Sequence, residues 1–173
     1  MIKKDSVVIR TGSLDDAETI LNIQQAVVIE NQYLILASEE FDRTTEQHKN
    51  WIQNILENER DTIIVAEING AVVGWIVFQS KNLKRLSHTG YFTTMIHKDY
   101  RGMGIGKMLI NDLLNWAEKN PLIEKISLGV LSTNLRAIAL YKSVGFVEEG
   151  RKIKEVKFGE NEYVDDILMY KLV

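Results

Sequence analysis

The chain has 173 residues, 45% of them hydrophobic and 26% charged, with a net charge of −3 and no cysteine. That balance suits one globular domain spanning residues 1–173 with a sizeable core, and excludes a disordered or fibrous chain. Without cysteine, disulfides, thiolate metal sites and a cysteine nucleophile are excluded; the negative charge disfavours a nucleic-acid target and mildly favours an amine.

The first ten residues carry two lysines but no apolar run before charge returns, unlike a secretory leader. The longest apolar stretch, 71–78, is too short to cross a bilayer, so the expected location is cytoplasmic. Val7 to Arg10 reads as a short strand. Ser13 with Asp16 three residues on has the form of a capping box, and starts a helix through Ala17, Ile20, Leu21 and Ile23. Residues 31–43 lose clear period and read as a break between helices, too apolar at Tyr33 to Leu36 for a free linker. Thr44 or Thr45 starts a second helix through Trp51, Ile52, Ile55 and Leu56. On it His48 is expected at the surface.

Two β-rich runs, Thr62 to Ile68 and Ala71 to Ser80, flank Asn69-Gly70 and predict a tight hairpin. A third strand is expected at about Thr89 to Ile96. After a glycine-rich loop, Ile105, Leu109, Leu113 and Trp116 share one face of a helix that closes near Asn120-Pro121. Glu124 to Leu131 reads as a strand, Asn134 starts a helix, and Gly145 suits its left-handed C-terminal position. Phe146 to Val156 and Tyr163 to Leu172 form a last antiparallel pair. The order β-α-α-β-β-β-α-β-α-β-β predicts an α/β fold with a mixed sheet flanked by helices. Trp51, Trp75 and Trp116 fall at core-like positions.

The loop Tyr100-Arg101-Gly102-Met103-Gly104-Ile105-Gly106-Lys107 is built to hold an anion. Glycines let a ligand approach the main chain, and the following helix offers unpaired N–H groups and the positive end of its dipole. Spacing decides which anion. Three residues, not four, separate Gly102 from Gly106, and Met108 stands where a Walker A loop needs a hydroxyl. A dinucleotide fingerprint starting at Gly104 needs a small residue where Leu109 stands. What remains is R-x-x-G-x-G at Arg101, Gly104 and Gly106. This resembles the acyl-CoA signature of the GCN5-related N-acetyltransferase superfamily. A second block, Asn134-Leu135-Arg136-Ala137-Ile138-Ala139-Leu140-Tyr141-Lys142-Ser143-Val144-Gly145-Phe146, resembles that family's N-x-x-A-x-x-L-Y-x-x-x-G-F. The order of elements is similar too, so the resemblance covers nearly the whole chain and implies the family's mostly antiparallel sheet.

The resemblance implies an enzyme that moves acetyl from acetyl-CoA to a primary amine by direct attack in a ternary complex. The acceptor is a small or amino-acid-like amine, or a protein N-terminus or lysine. It implies that the amides of Gly102, Met103, Gly104, Ile105, Gly106 and Lys107 hold the pyrophosphate, with Arg101 adding structure and charge. The splayed strand at Thr94, Met95 and Ile96 would bind the pantetheine arm through main-chain groups, a main-chain N–H near Met95 would donate to the thioester oxygen, and Ala137 would line the arm. Asn134 would bind the arm or the amine, and Tyr141 would be the general acid. Asn134 and Tyr141 are seven positions apart, nearly two helical turns, so both can face one groove. A phenol is protonated at neutral pH and can supply a proton to a thiolate.

For a general base the candidates are Glu30, Glu39, Glu40, His88, His97, Asp165 and Asp166, beside a water chain. Three scattered histidines offer no metal spacing. Dimerisation is common in such folds, and no apolar surface stripe establishes it. The rival reading is a module that binds acyl-CoA as a sensor without turnover.

Overall fold

The computed structural model describes residues 7–173. Residues 1–6, on which much of the leader reading falls, lie outside the described residues. Seven strands and four α-helices follow in the order β1 (Val7–Thr11), α1 (Ala17–Ile29), α2 (Thr45–Glu57), β2 (Thr62–Ile68), β3 (Ala71–Ser80), β4 (Thr89–Ile96), α3 (Ile105–Lys119), β5 (Lys125–Leu131), α4 (Leu135–Ser143), β6 (Val147–Gly159) and β7 (Glu162–Leu172). They form one sheet, ordered β1-β2-β3-β4-β5-β7-β6. Only β4 and β5 run parallel; every other neighbouring pair is antiparallel.

The central strands are almost wholly apolar because both faces of the sheet are covered. Alternate residues go to opposite sides. Ile64, Ala66, Ile76, Phe78 and Phe92 pack under α3, against Ile105, Leu109, Ile110 and Leu113. Their neighbours Ile63, Val65, Trp75, Val77 and Met95 pack under α1 and α2, against Ile20, Ile23, Ile52 and Ile55. Two cores therefore share one sheet. The hairpin turn is as the sequence predicts, with Asn69 at φ 52° and Gly70 at φ 81°, the twist that suits a two-residue connection. Gly145 at φ 93° ends α4, where the N–H of Phe146 donates to the carbonyl of Tyr141 at 3.0 Å. The final hairpin departs from expectation by extending β6 to Gly159, with irregular register near Glu148 and after Lys152.

The feature that positions the site is a divergence. Strands β4 and β5 pair only over Thr89–Tyr91 and Lys125–Ser127, although β4 continues to Ile96 and β5 to Leu131. Beyond Tyr91 they open a V-shaped gap in the sheet. At the other edge, Arg10 on β1 joins three segments. Its guanidinium donates to both carboxylate oxygens of Asp16 at 2.8 Å and to Glu67 on β2 at 2.9 Å. Asp16 also accepts from the N–H of Ser13 at 2.8 Å and from its hydroxyl at 3.1 Å.

The hydrogen bond and charge of Arg10 hold the Asp16 carboxyl below the usual carboxylate range, against the opposing effect of its burial. A carboxylate with a depressed folded pKa adds stability that is present above the unfolded value of about 3.9 and is lost as pH falls through the folded value. Asp16→Asn is expected to lower stability by about 2 kcal/mol at pH 7, the reduced cost of breaking a partly exposed pair. Urea unfolding between pH 3 and 7 checks this, and the variant should show a shallower acid slope.

Candidate active site

The gap between β4 and β5 is the mouth of a cleft of about 500 Å³ that reaches the loop after β4, the C-terminal end of α1 and the start of α4. Main-chain geometry decides what it offers. The N–H of Lys81 donates to the carbonyl of Thr89 at 3.0 Å, and the N–H of His97 donates to that of Val73 at 3.0 Å. The β3–β4 register is unbroken between these bonds. Odd-numbered residues of β4 therefore direct their main-chain groups to β3, and Phe92, Thr94 and Ile96 direct theirs to the side of β5 and the gap. This corrects the expectation for Met95, whose amide belongs to the β3 ladder while its side chain is buried beneath α1 and α2. The carbonyl of Ile96 is already taken by Arg101 Nε at 2.9 Å. The register of β4 on β5 commits the Phe92 amide to the carbonyl of Ser127, so the carbonyl of Phe92, both main-chain groups of Thr94 and the amide of Ile96 face a side where no described strand pairs with them.

At the open end of the gap the three glycines serve different purposes. Gly102 and Gly104 both have φ 84°, a left-handed conformation that costs a residue with a Cβ about 1–2 kcal/mol. Gly106 is helical, and a Cβ there would lie 3.2 Å from Leu140 and 3.4 Å from Ile96, so its role is close packing of α3 on α4 and β4. Gly104 precedes α3, whose first amides have no partner within the helix. Arg101 is spent elsewhere: both its terminal nitrogens reach Glu30 at the end of α1, at 2.7 and 2.6 Å. The hydrogen bonds and charge of Arg101 hold the Glu30 carboxyl below its ordinary range. Glu30 is therefore a poor proton acceptor, and Arg101 braces the loop more than it charges it. Two other cations line the cleft, Lys107 in the first turn of α3 and Arg136 in α4, the latter with a guanidinium nitrogen 3.4 Å from where a Gly102 Cβ would stand. Among the described residues neither forms a salt bridge.

Tyr141 lies at the other end, where the V closes. Its ring meets Phe92 edge-on at 5.6 Å between centroids and Phe146 at 6.3 Å. Burial pushes the phenol up to about 12, and no side-chain or main-chain group among the described residues hydrogen-bonds its hydroxyl. Asn134 caps α4 by accepting from the N–H of Ala137 at 3.2 Å, which leaves its amide nitrogen as the group it can offer.

Every residue expected to bind the cofactor lines this cleft except Met103, which projects from the top of the loop. Of the candidate bases only Glu30 lines it. Asp165 accepts from the N–H of Lys154 at 2.8 Å, and Asp166 is buried with Lys152 3.7 Å away. His97 lies 3.6 Å from Asp99, and Glu40 accepts from the N–H of Ala37. His48, expected at the surface, is 1% exposed. It sits four and seven residues before Ile52 and Ile55, on the same buried stripe of α2, a spacing visible in the sequence. Arg136 lines the cleft one position before Ala137, at a place the motif spacing does not mark.

The fold, the splayed strands and the glycine loop together define a protein that holds acyl-CoA. The family model described as acetyltransferase (GNAT) family matches residues 28–146. The chain belongs to the GNAT family, whose members are acetyl-CoA-dependent N-acyltransferases. It is similar to the L-amino acid N-acetyltransferase AaaT of Escherichia coli, 26% identical over 70% of this chain and 75% of that one. It is also similar to the spermidine N(1)-acetyltransferase of Vibrio cholerae, 28% identical over 78% and 74% of the two chains. The crystal structure of a GNAT-family acetyltransferase from Streptococcus pneumoniae superposes with a TM-score of 0.91, at 25% identity, covering 96% of this chain and 99% of that one. YncA from Salmonella typhimurium, solved with its cofactor acetyl-CoA, has the same fold, with a TM-score of 0.87 at 22% identity over 96% and 93% of the chains.

The distribution of charge around the loop gives an expected outcome. Lys107→Ala and Arg136→Ala should each weaken acetyl-CoA binding by about tenfold and flatten its salt dependence, the scale of one charge-assisted contact. Arg101→Ala should lower the melting temperature as well. Calorimetric titration at two ionic strengths, with a melting curve for each variant, checks all three.

Proposed function

We propose that the protein transfers acetyl from acetyl-CoA to the primary amine of an acceptor held with it in a ternary complex. The observation that carries this is the run of unpaired main-chain groups on β4, leading from the glycine loop to the Tyr141 hydroxyl. The loop offers amides from Gly102 to Lys107 and two unpaired cations, which suits a pyrophosphate. The gap beyond it has the length and main-chain character to take an amide-bearing pantetheine as an added strand.

When the amine nitrogen attacks the thioester carbon, the N–C bond forms, the C–S bond breaks and negative charge develops on oxygen. The amide of Thr94, which faces the gap, would receive that charge, an interaction worth about 3–4 kcal/mol in such sites. The sulfur then leaves toward Tyr141, whose phenol keeps its proton at physiological pH and gives it to the thiolate. Asn134, its oxygen committed to the cap, would donate its N–H to the arm or to the acceptor. The amine must shed a proton, and with Glu30 locked to Arg101 the route for it is water in the cleft. We read the compartment as cytoplasmic; no helix among the described residues is long and apolar enough to cross a membrane.

Tyr141→Phe is expected to lower kcat at least about tenfold while leaving acetyl-CoA affinity nearly unchanged. Unchanged turnover would remove the general-acid role. In the wild type, kcat should rise with pH as the amine loses its proton and show no alkaline fall from Tyr141 below about pH 11, since the phenol titrates near 12. Release of free thiol, followed from pH 6 to 10.5, measures both.

A further inference from the structure

On the face of the sheet opposite Tyr141, beneath α1 and α2, lies a second cavity of about 180 Å³. Its walls include Gln24 of α1, His48 of α2, Trp75 of β3, Thr93 of β4 and, from the segment before α2, Arg43. One buried side chain in it is left with an unmet hydrogen bond. His48 and Trp75 are each only 1% exposed, and Trp75 Nε1 has no partner among the described residues. An indole N–H can only donate. His48 Nε2 lies 2.9 Å from the side-chain oxygen of Gln24, and the backbone of Thr44, one turn earlier, is a further hydrogen-bond partner of the ring. Burial, and then the charge of Arg43, keep the imidazole below its usual range, and therefore neutral. Arg43 itself forms no salt bridge among the described residues.

The cavity thus presents an unfilled donor and a positive charge, and no Asp or Glu among the described residues lines it. We propose that it recognises the acceptor, and that the acceptor is a small amine carrying a carboxylate: an amino acid or a close analogue of one. This rests on the N-acetyltransferase reading above. The carboxylate accepts from Trp75 Nε1 and answers the charge of Arg43, which leaves the amino group free to face Thr93 and the gap. Thr93 lines this cavity and the acyl-CoA cleft alike, so an acceptor held here stands beside the gap through which the thioester is reached. Size agrees. Drug-sized ligands occupy sites of roughly 300–1,000 Å³, and the smaller volume here suits a molecule of about ten heavy atoms. A polyamine would meet a cation with no counter-charge to hold it.

The test compares the twenty common L-amino acids with their carboxamides as acceptors, using the full chain and saturating acetyl-CoA, with thiol release as the readout. Accepted amino acids should show kcat/KM at least about tenfold above their carboxamides, and Arg43→Gln should shrink that ratio by about tenfold. Arg43 is exposed, so the variant is expected to fold. Tryptophan fluorescence, reporting Trp51 and Trp75 at the cavity wall, should change on titration with an accepted amino acid in the presence of CoA. Equal use of carboxamides, or an Arg43→Gln variant with an unaltered ratio, overturns the proposal and leaves the acetyltransferase reading standing. So does the absence of turnover and fluorescence change with every amino acid when acetyl-CoA still raises the melting temperature. Failure of acetyl-CoA to raise the melting temperature overturns both.

Discussion

The structure depends on a single broken ladder. A strand in the middle of a sheet normally satisfies its main chain on both sides, and a buried N–H or C=O without a partner is costly. Strand β4 is paired with β3 along its whole length and with β5 over three residues only. The continuous β3 register holds β4 straight while β5 turns away toward β7. Everything functional follows from that: the gap can exist because one neighbour keeps the strand in place, and it attracts a ligand because the other has left.

The parts around the gap are then constrained in turn. Its open end needs amides turned outward, which two left-handed glycines and the start of α3 supply. Its closed end needs a dry, packed wall, which Phe92, Tyr141 and Phe146 supply as an edge-to-face cluster. That same packing desolvates the phenol, so the chemistry of Tyr141 is a by-product of core packing. Positive charge is distributed in an unexpected way: the arginine of the sequence signature is neutralised by Glu30, while Lys107 and Arg136 line the cleft without a salt bridge among the described residues.

Local features were legible in the sequence because local physics fixes them. Asn69-Gly70 demands one turn, Gly145 one helix end, and the spacing of Gly102, Gly104 and Gly106 rejects two kinds of phosphate loop before any fold is known. What the sequence hid was set at a distance. The pairing of Glu30 with Arg101 spans 71 positions, and no periodicity announces it. Whether Met95 or Thr94 turns its amide to the gap is a question of strand phase, settled by the register of β3. His48 was a different kind of miss. Its place on the stripe with Ile52 and Ile55 is visible, but polarity alone assigns such a residue to the helix surface, whereas here it lines a polar cavity inside the core.

The Glu30–Arg101 bridge has a consequence for how such a domain can be remodelled. It bolts the end of α1, in the N-terminal half of the chain, to the glycine loop in the C-terminal half. The two halves are therefore not independent modules. A chimera that borrows the segment from α1 to α2 from a relative, in order to change the acceptor, inherits a working glycine loop only if a carboxylate arrives at position 30 with it.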